Sequence, residues 1–253
     1  MKKTIFITGA TSGIGEACAR LFAASGQRLI LLGRRADRLE QLKKELASDH
    51  SAETFSLCLD LRDPLAVEQG IVGLPGDWGQ IDVLVNNAGL ALGLSSIGEG
   101  DTAEWDQMID TNIKGLLYIS RAVIPGMMKR KAGQIINIGS IAGRETYSGG
   151  SIYCATKHAV GAITKGMRLD LLPYGIRVSQ ISPGAVETEF SLVRFHGDAD
   201  RAKKVYNGFL PLKASDVAEA VRFAVALPPH VNVDDMLLMP SAQASATVIR
   251  REE

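Results

Sequence analysis

Tyr153 and Lys157 place a phenol and an amine four residues apart, in a segment at 151–157 whose pattern predicts a helix. Side chains at this spacing share one face of a helix, so the two groups should lie side by side. A phenol has a pKa of ~10 and acts as a base at neutral pH only when a nearby group stabilises the phenolate. A cation one turn away could do so, and the pair therefore indicates a general base. The same spacing is common on ordinary surface helices, so other motifs must decide.

Two other polar residues lie where the predicted elements could bring them close to this pair. Ser140 follows a predicted strand at 134–138, and Asn112 lies inside a predicted long helix at 102–131. Asn is a poor residue for a helix interior because its side chain competes for backbone hydrogen bonds. Asn112 is therefore a candidate functional residue, and a buried Asn bound by a neighbouring turn is the alternative.

A glycine-rich turn predicts a nucleotide-binding site. It follows a predicted strand at 4–8 and opens directly into a predicted helix at 14–25. Glycine permits a tight turn and close approach of a pyrophosphate, whose charge is met by backbone N–H groups and the positive helix end. The spacing is Gly-x-x-x-Gly-x-Gly, and a plain glycine turn is the alternative. The candidate cofactor residues of the turn are Gly9, Ala10, Thr11, Ser12, Gly13, Ile14 and Gly15.

Arg34 and Arg35 predict which dinucleotide binds. They lie about twenty residues beyond the glycine turn, where an NAD-binding fold would place an acid against the ribose 2′-hydroxyl. Two guanidinium groups suit a 2′-phosphate, so we expect NADP. The nearby Asp37 leaves NAD as an alternative.

The ends of the third and fourth predicted strands add further candidates. Asp60 could accept a hydrogen bond from the adenine amino group, with Leu61 lining the ring pocket, or it could cap the helix that Pro64 begins. Asn87 belongs to the stretch Asn86-Asn87-Ala88-Gly89. This stretch could supply amides to a cofactor or form a turn and nothing more.

Strands and helices alternate along the whole chain. Near-continuous apolar strands separated by amphipathic helices indicate a parallel sheet covered on both faces. The expected fold class is therefore α/β, with a single doubly wound, Rossmann-type domain over residues 1–253. Ligands of such sheets bind beyond the carboxyl ends of the strands.

Composition limits the possible partners. The 28 basic and 28 acidic residues balance without a block of like charges, which argues against binding of nucleic acid or of an anionic membrane. The apolar segments are too short for a membrane span or a signal peptide, so a cytoplasmic location is expected. The three cysteines and four histidines lack metal-ligand spacing, so no metal is expected. The cysteines are expected to be buried.

In order along the chain, these motifs resemble the short-chain dehydrogenase/reductase family. The resemblance covers essentially the whole length and includes the glycine turn, Asn112, Ser140, Tyr153 with Lys157, and Pro183-Gly184 with Thr188. A narrower resemblance is to its NADP-dependent 3-hydroxy acid dehydrogenases, the serine and L-allo-threonine dehydrogenase branch. That resemblance rests on NNAGLALG at 86–93, MIDTN at 108–112, TEFSLVRF at 188–195 and PHVN at 229–232.

The resemblance implies hydride transfer between NADP(H) and C3 of small 3-hydroxy or 3-oxo acids. Tyr153 would be the general base and acid, and Lys157 would favour the phenolate and bind the nicotinamide ribose. Ser140 would bind the substrate oxygen, and Asn112 would hold a water that links Lys157 to solvent. The family pattern also implies cofactor contacts at Pro183, Gly184, Val186 and Thr188.

A substrate carboxylate would need a partner, and a bidentate Arg is expected. Arg194 and Arg144 are the candidates, and either could instead be an ordinary exposed or ion-paired Arg. The family also implies a homotetramer, and a mobile segment at about 187–210 is expected to cover the substrate. Two other functions stay open, namely a 3-oxoacyl or general carbonyl reductase of the same fold and a redox-silent NADP-binding sensor.

Overall fold

Strands and helices alternate in the computed structural model, which describes residues 2–252. The strands are Thr4–Thr8 (β1), Arg28–Gly33 (β2), Thr54–Cys58 (β3), Val83–Asn86 (β4), Gly133–Ile138 (β5), Ile176–Pro183 (β6), Val186–Glu187 (β7), Leu212–Lys213 (β8) and Asp235–Leu238 (β9). The α-helices are Gly13–Ala24 (α1), Ala36–His50 (α2), Pro64–Val72 (α3), Thr102–Ile109 (α4), Leu116–Arg130 (α5), Ser151–Leu171 (α6), Phe190–Arg194 (α7), Ala199–Lys204 (α8) and Ala214–Ala226 (α9).

The main sheet is parallel and doubly wound, which confirms the predicted fold class. Its strand order is β3-β2-β1-β4-β5-β6-β9, and every neighbouring pair is parallel. The order reverses between β1 and β4, which leaves a crevice at their carboxyl ends. Most of the candidate cofactor residues of the sequence line this crevice.

Apolar side chains cover both faces of the sheet. Phe22 of α1, Leu42 of α2 and Val221 of α9 belong to the buried cluster on one face. On the other face, Val123 and Met127 of α5 belong to a second cluster. Because both faces are covered, all five residues of β1 are buried, which explains why the strands are apolar at successive positions.

The predicted helix at 102–131 is interrupted. A π-helical turn, Asp110–Gly115, separates α4 from α5. Such turns insert an extra residue into the helical ladder and are frequent at functional sites. Here the turn carries Asn112 and Gly115, both of which are buried. A Cβ atom on Gly115 would lie 3.1 Å from the Cβ atom of Leu61, so the widened turn packs closely against the loop after β3.

The segment at about 187–210 contains β7 and the short helices α7 and α8, and Asp198 caps α8 by accepting a hydrogen bond from the Arg201 N–H. Its expected mobility stays a prediction. The prediction that all cysteines are buried is wrong for Cys58, which is exposed at the end of the outermost strand, β3. Cys18 and Cys154 are buried as expected.

Candidate active site

The carboxyl ends of the central strands open into one cleft of about 340 Å³. The glycine turn, the loops after β2, β3 and β4, and the start of the segment after β6 form its walls. Ser140, Tyr153 and Lys157 line one end, and Arg34 and Arg35 line another part of the wall. The following further predicted cofactor residues also line it: Gly9, Thr11, Ser12, Gly13, Ile14, Asp60, Leu61, Asn87, Pro183, Gly184, Val186 and Thr188.

The glycine turn is shaped by close backbone approach. Gly9 and Gly13 have positive φ angles of 66° and 53°, which disfavour residues with a Cβ atom. Gly15 does not line the cleft, because it packs behind the turn, where a Cβ atom would lie 2.3 Å from the Gly9 carbonyl oxygen. Ala10 is likewise fully buried. The turn therefore presents backbone to the cleft, as a pyrophosphate site requires.

The stretch after β4 holds the glycine turn in place. The Thr8 hydroxyl accepts hydrogen bonds of 3.0 Å from the backbone N–H groups of Asn87 and Ala88. The Asn87 side chain donates to the carbonyl oxygens of Thr8 and Gly9, at 3.0 and 3.2 Å. Asn87 thus connects the two strand ends on either side of the crevice.

The two arginines after β2 have different surroundings. The Arg34 side chain is 55% exposed, and its Nη1 lies 3.7 Å from an Asp60 carboxylate oxygen. Arg35 donates to the Thr11 carbonyl oxygen at 3.1 Å and to Glu189 at 3.0 Å. Both arginines face the cleft, but Arg35 is already held by the glycine turn and by the segment after β7.

The Asp60 carboxylate is bound by a neighbour. Arg62 donates to it through Nη2 at 2.7 Å and through Nε at 3.0 Å, and this hydrogen bonding lowers the pKa of Asp60. The Asp60 carboxylate, which could contact an adenine ring, therefore already accepts hydrogen bonds from Arg62. Leu61, which is nearly buried, lines the cleft beside it.

Tyr153 and Lys157 both line the cleft and are buried residues of α6. Burial raises the pKa of the Tyr153 phenol, and the adjacent Tyr147 adds to this effect. The Ser140 hydroxyl and the positive charge of Arg194 lower the pKa of the same phenol. The ring of Phe190, from α7, covers the Tyr153 ring at a centroid distance of 5.6 Å.

Lys157 is a buried cation. Its Nζ donates to the Ile138 carbonyl oxygen at 2.9 Å, and burial lowers its pKa to about 8. This ammonium is bound by the end of β5, which lies two strands away from β1, the strand that precedes the glycine turn. The proposed effect of Lys157 on the Tyr153 phenolate stays a prediction.

Asn112 binds the loop after β4. Its Oδ1 accepts from the Leu90 N–H and its Nδ2 donates to the Leu90 carbonyl oxygen, both at 2.8 Å. Nδ2 also donates to the Thr156 hydroxyl on α6 at 3.0 Å. Asn112 therefore ties three elements together, which agrees with the alternative of an Asn bound by a neighbouring turn. The water that it was expected to hold stays a prediction.

Of the two candidate arginines, only Arg194 lies beside Tyr153. Its guanidinium is 5.7 Å from the centroid of the Tyr153 ring and donates to the Tyr147 hydroxyl at 3.0 Å. It also donates to the Gly93 carbonyl oxygen at 3.1 Å. Arg144 lies elsewhere, with its Nη2 2.8 Å from the Asp235 carboxylate on β9.

Sequence reasoning missed several residues of the site. Tyr147, Glu189 and Phe190 contact Arg194, Arg35 and Tyr153 respectively. Glu189 and Phe190 lie next to the predicted Thr188, and Glu189 has the charge that two nearby arginines would attract. Their partners are 154 and 37 residues away along the chain, so spacing could not reveal these pairs.

The chain is similar to known proteins over most of its length. The profile of the short chain dehydrogenase family matches residues 3–197. A 3-hydroxy acid dehydrogenase described as NADP-dependent, YdfG of Salmonella typhi, is 46% identical over 243 residues, which is 96% of each chain. Sulfoacetaldehyde reductase 2 of Chromohalobacter salexigens is 44% identical and covers 100% of each chain. The closed form of a serine dehydrogenase complexed with NADP⁺ superimposes with a TM-score of 0.92, at 44% identity and over 99% of this chain and 100% of the other.

Proposed function

Because the chain belongs to the short-chain dehydrogenase family, we propose that it oxidises small 3-hydroxy acids at C3, or reduces the corresponding 3-oxo acids. The protein is an NADP-dependent oxidoreductase that acts on alcohol groups, and the substrate class is the proposed part. One observation carries it: the Arg194 guanidinium lies beside the buried Tyr153, where it could bind the acid group of a substrate.

The residues of the cleft suit NADP. Positive φ angles at Gly9 and Gly13 leave the backbone open to a pyrophosphate, and the half-exposed guanidinium of Arg34 is available to a 2′-phosphate. NADP⁺, when bound, supplies the acceptor for the hydride that leaves C3. We assign the cofactor contacts to the glycine turn, Arg34, Arg35 and the cleft-lining residues of the later strand ends.

We assign the proton chemistry to four residues. Tyr153 would take the proton from the substrate hydroxyl, and Ser140 would donate a hydrogen bond to the oxygen that develops charge. Lys157 would hold its ammonium beside this pair, with Ile138 O as its fixed partner. Asn112 would hold the loop after β4, through Leu90, against α6 beside these three residues. Water exclusion by Phe190 would strengthen each of these interactions.

Arg194 is the proposed partner of the substrate acid group. Its side chain is fixed by Gly93 and Tyr147, so it would bind a carboxylate with little further loss of side-chain freedom. Arg144 serves as a matched control because its guanidinium is paired with Asp235 outside the cleft.

Initial rates with NADP⁺ test this proposal. The panel comprises L- and D-serine, the threonine isomers, 3-hydroxyisobutyrate and 3-hydroxypropionate, with 2-butanol as an alcohol without an acid group. We expect turnover of the acids and little of the alcohol. Arg194→Ala should raise the KM for the acids roughly 10- to 100-fold, the range expected for a charged hydrogen bond, and Arg144→Ala should not. Equal turnover of alcohol and acids would overturn the proposal in favour of a general carbonyl reductase.

A second candidate is reduction of a small sulfonated aldehyde. The support is the relative described as sulfoacetaldehyde reductase 2, which is 44% identical over the full length. A sulfonate and a carboxylate would meet the same guanidinium, so Arg194 alone does not separate them. Reduction of sulfoacetaldehyde by NADPH, compared with malonic semialdehyde at equal concentration, distinguishes the two by the ratio of kcat/KM.

We further propose a homotetramer in the cytoplasm. Assembly through α5 and α6 is supported by an exposed apolar side chain on each helix, Leu117 on α5 and Leu169 on α6. Among the described residues, no helix is long and apolar enough to span a membrane. Light scattering coupled to size-exclusion chromatography tests the assembly, and a mass near 27.1 kDa would contradict it.

A further inference from the structure

Glu189 joins the segment after β7 to the opposite wall of the cleft. One carboxylate oxygen lies 3.0 Å from Arg35 Nη1, and the other lies 2.7 Å from Arg38 Nη1. Glu189 begins α7 as its N-terminal flanking residue, directly after Thr188. The two arginines lie at the start of α2, on the far side of the crevice from β6. A single carboxylate therefore bridges the start of α2 and the start of α7. Glu189 is 154 residues from Arg35 and 151 residues from Arg38 along the chain.

The bridge is continuous with the glycine turn. Arg35 also donates to the carbonyl oxygen and the hydroxyl of Thr11, both at 3.1 Å. Thr188 packs against the other side of the turn, since a Cβ atom on Gly13 would lie 3.2 Å from its methyl carbon. The turn, Arg35, Glu189 and Thr188 thus surround part of the cleft, with backbone on one side and an ion pair on the other.

A dinucleotide that lies along the glycine turn would be enclosed by these contacts. Arg35 and Glu189 both line the cleft, so their ion pair connects two parts of its wall. We propose that Glu189 is a positioning residue, which closes the segment over the bound cofactor through Arg35 and Arg38 and thereby limits the rate of NADP(H) release. This proposal goes beyond hydride transfer and does not depend on which substrate is used.

The charges agree with this role. Hydrogen bonds from Arg38 and Arg35 lower the pKa of Glu189, so the carboxylate is ionised at neutral pH. Arg34 has its closest carboxylate oxygen 3.7 Å away and more than half of its side chain exposed, so it can bind a 2′-phosphate while the bridge is closed. Arg38 does not line the cleft, and its contribution to retention would act only through Glu189.

The experiment measures release of NADPH from the full-length protein without substrate. Stopped-flow fluorescence, with excess NADP⁺ as the competitor, gives the dissociation rate of the wild type, Glu189→Gln, Arg38→Ala and the double variant. We expect each single variant to accelerate release roughly three- to tenfold, the range for half-exposed ion pairs acting together. The double variant should add little to Glu189→Gln, because Arg38 acts through that carboxylate. Glu219→Gln is the control, as it removes a carboxylate from an exposed pair with Arg222 on α9.

Two further readouts separate this role from a purely structural one. Release from the wild type should accelerate with ionic strength by a larger factor than release from Glu189→Gln, in which only the cofactor's own ionic contacts remain to be screened. The Glu189 ion pairs hold the segment after β7 closed and do not contact the 2′-phosphate. The substitutions should therefore accelerate NADH release by the same factor as NADPH release. If Glu189→Gln failed to fold, Arg38→Ala, at a half-exposed position outside the cleft, would give the same measurements.

Three outcomes would overturn the proposal. The first is an unchanged release rate in both single variants. The second is a double variant in which the accelerations by Glu189→Gln and Arg38→Ala multiply. The third is tighter NADPH binding by Glu189→Gln with NADH binding unaffected. The last result would mean that Glu189 competes with the 2′-phosphate for Arg35.

Discussion

Replacing Lys157 should stabilise the cofactor-free protein while abolishing its activity. Burial lowers the pKa of this ammonium from 10.5 to about 8. At about 1.4 kcal/mol per pKa unit, the buried charge opposes folding by about 3 kcal/mol. Lys157→Met removes that cost, and loss of the hydrogen bond to Ile138 O offsets about 1 kcal/mol of the gain. We therefore expect the variant to be about 2 kcal/mol more stable than the wild type at pH 7.

The pH dependence has a defined sign. Below pH 8 the folded and the unfolded wild type both carry the ammonium, so the full cost is present. Between about pH 8 and 10.5 the folded state has released this proton while the unfolded state keeps it, so the free energy of unfolding rises with pH. The advantage of Lys157→Met should therefore shrink by about 2 to 3 kcal/mol between about pH 7 and pH 10.

Urea denaturation of the cofactor-free proteins at several pH values measures this difference. Other titrating groups contribute equally to both proteins and cancel, provided that they do not contact Lys157. Lys165→Met, on an exposed position of the same helix, is the control for the substitution of Lys by Met. A pH-independent difference between Lys157→Met and the wild type would refute the reasoning, because it would mean that the ammonium carries no burial cost.

Three other substitutions have expected outcomes. Arg34→Ala should lower the ratio of kcat/KM for NADP to that for NAD about 10- to 100-fold, since it removes a charged partner of the 2′-phosphate; an unchanged ratio would contradict its assignment. Asn112→Ala should lower the free energy of unfolding by about 2 to 4 kcal/mol in urea titrations, because two backbone groups of Leu90 lose their partners; a change like that of the exposed Asn207→Ala would argue against it. Gly15→Ala should weaken NADPH binding in fluorescence titrations, because its Cβ atom would lie 2.3 Å from Gly9 O, and unaltered binding would show that the turn can shift.

Local patterns predicted the framework well. Apolar residues recur along each strand and helix at the spacing that its buried face requires. This pattern therefore indicated the doubly wound sheet and the positions of most elements. The π-helical turn at Asp110–Gly115 was not predictable in this way, because it depends on the fit of Asn112 to Leu90, 22 residues earlier. The exposure of Cys58 likewise depends on β3 being the outermost strand.

The sequence by itself indicated the chemistry that Tyr153, Lys157 and the glycine turn could perform, because residue types and their local spacing carry that information. Only the tertiary structure decided which distant groups act on them. It placed Arg194 beside Tyr153 and Arg144 against Asp235, and it joined Glu189 to Arg35 across the cleft. Such contacts depend on how loops from different strands converge at one edge of the sheet, and residue spacing along the chain carries no record of that convergence.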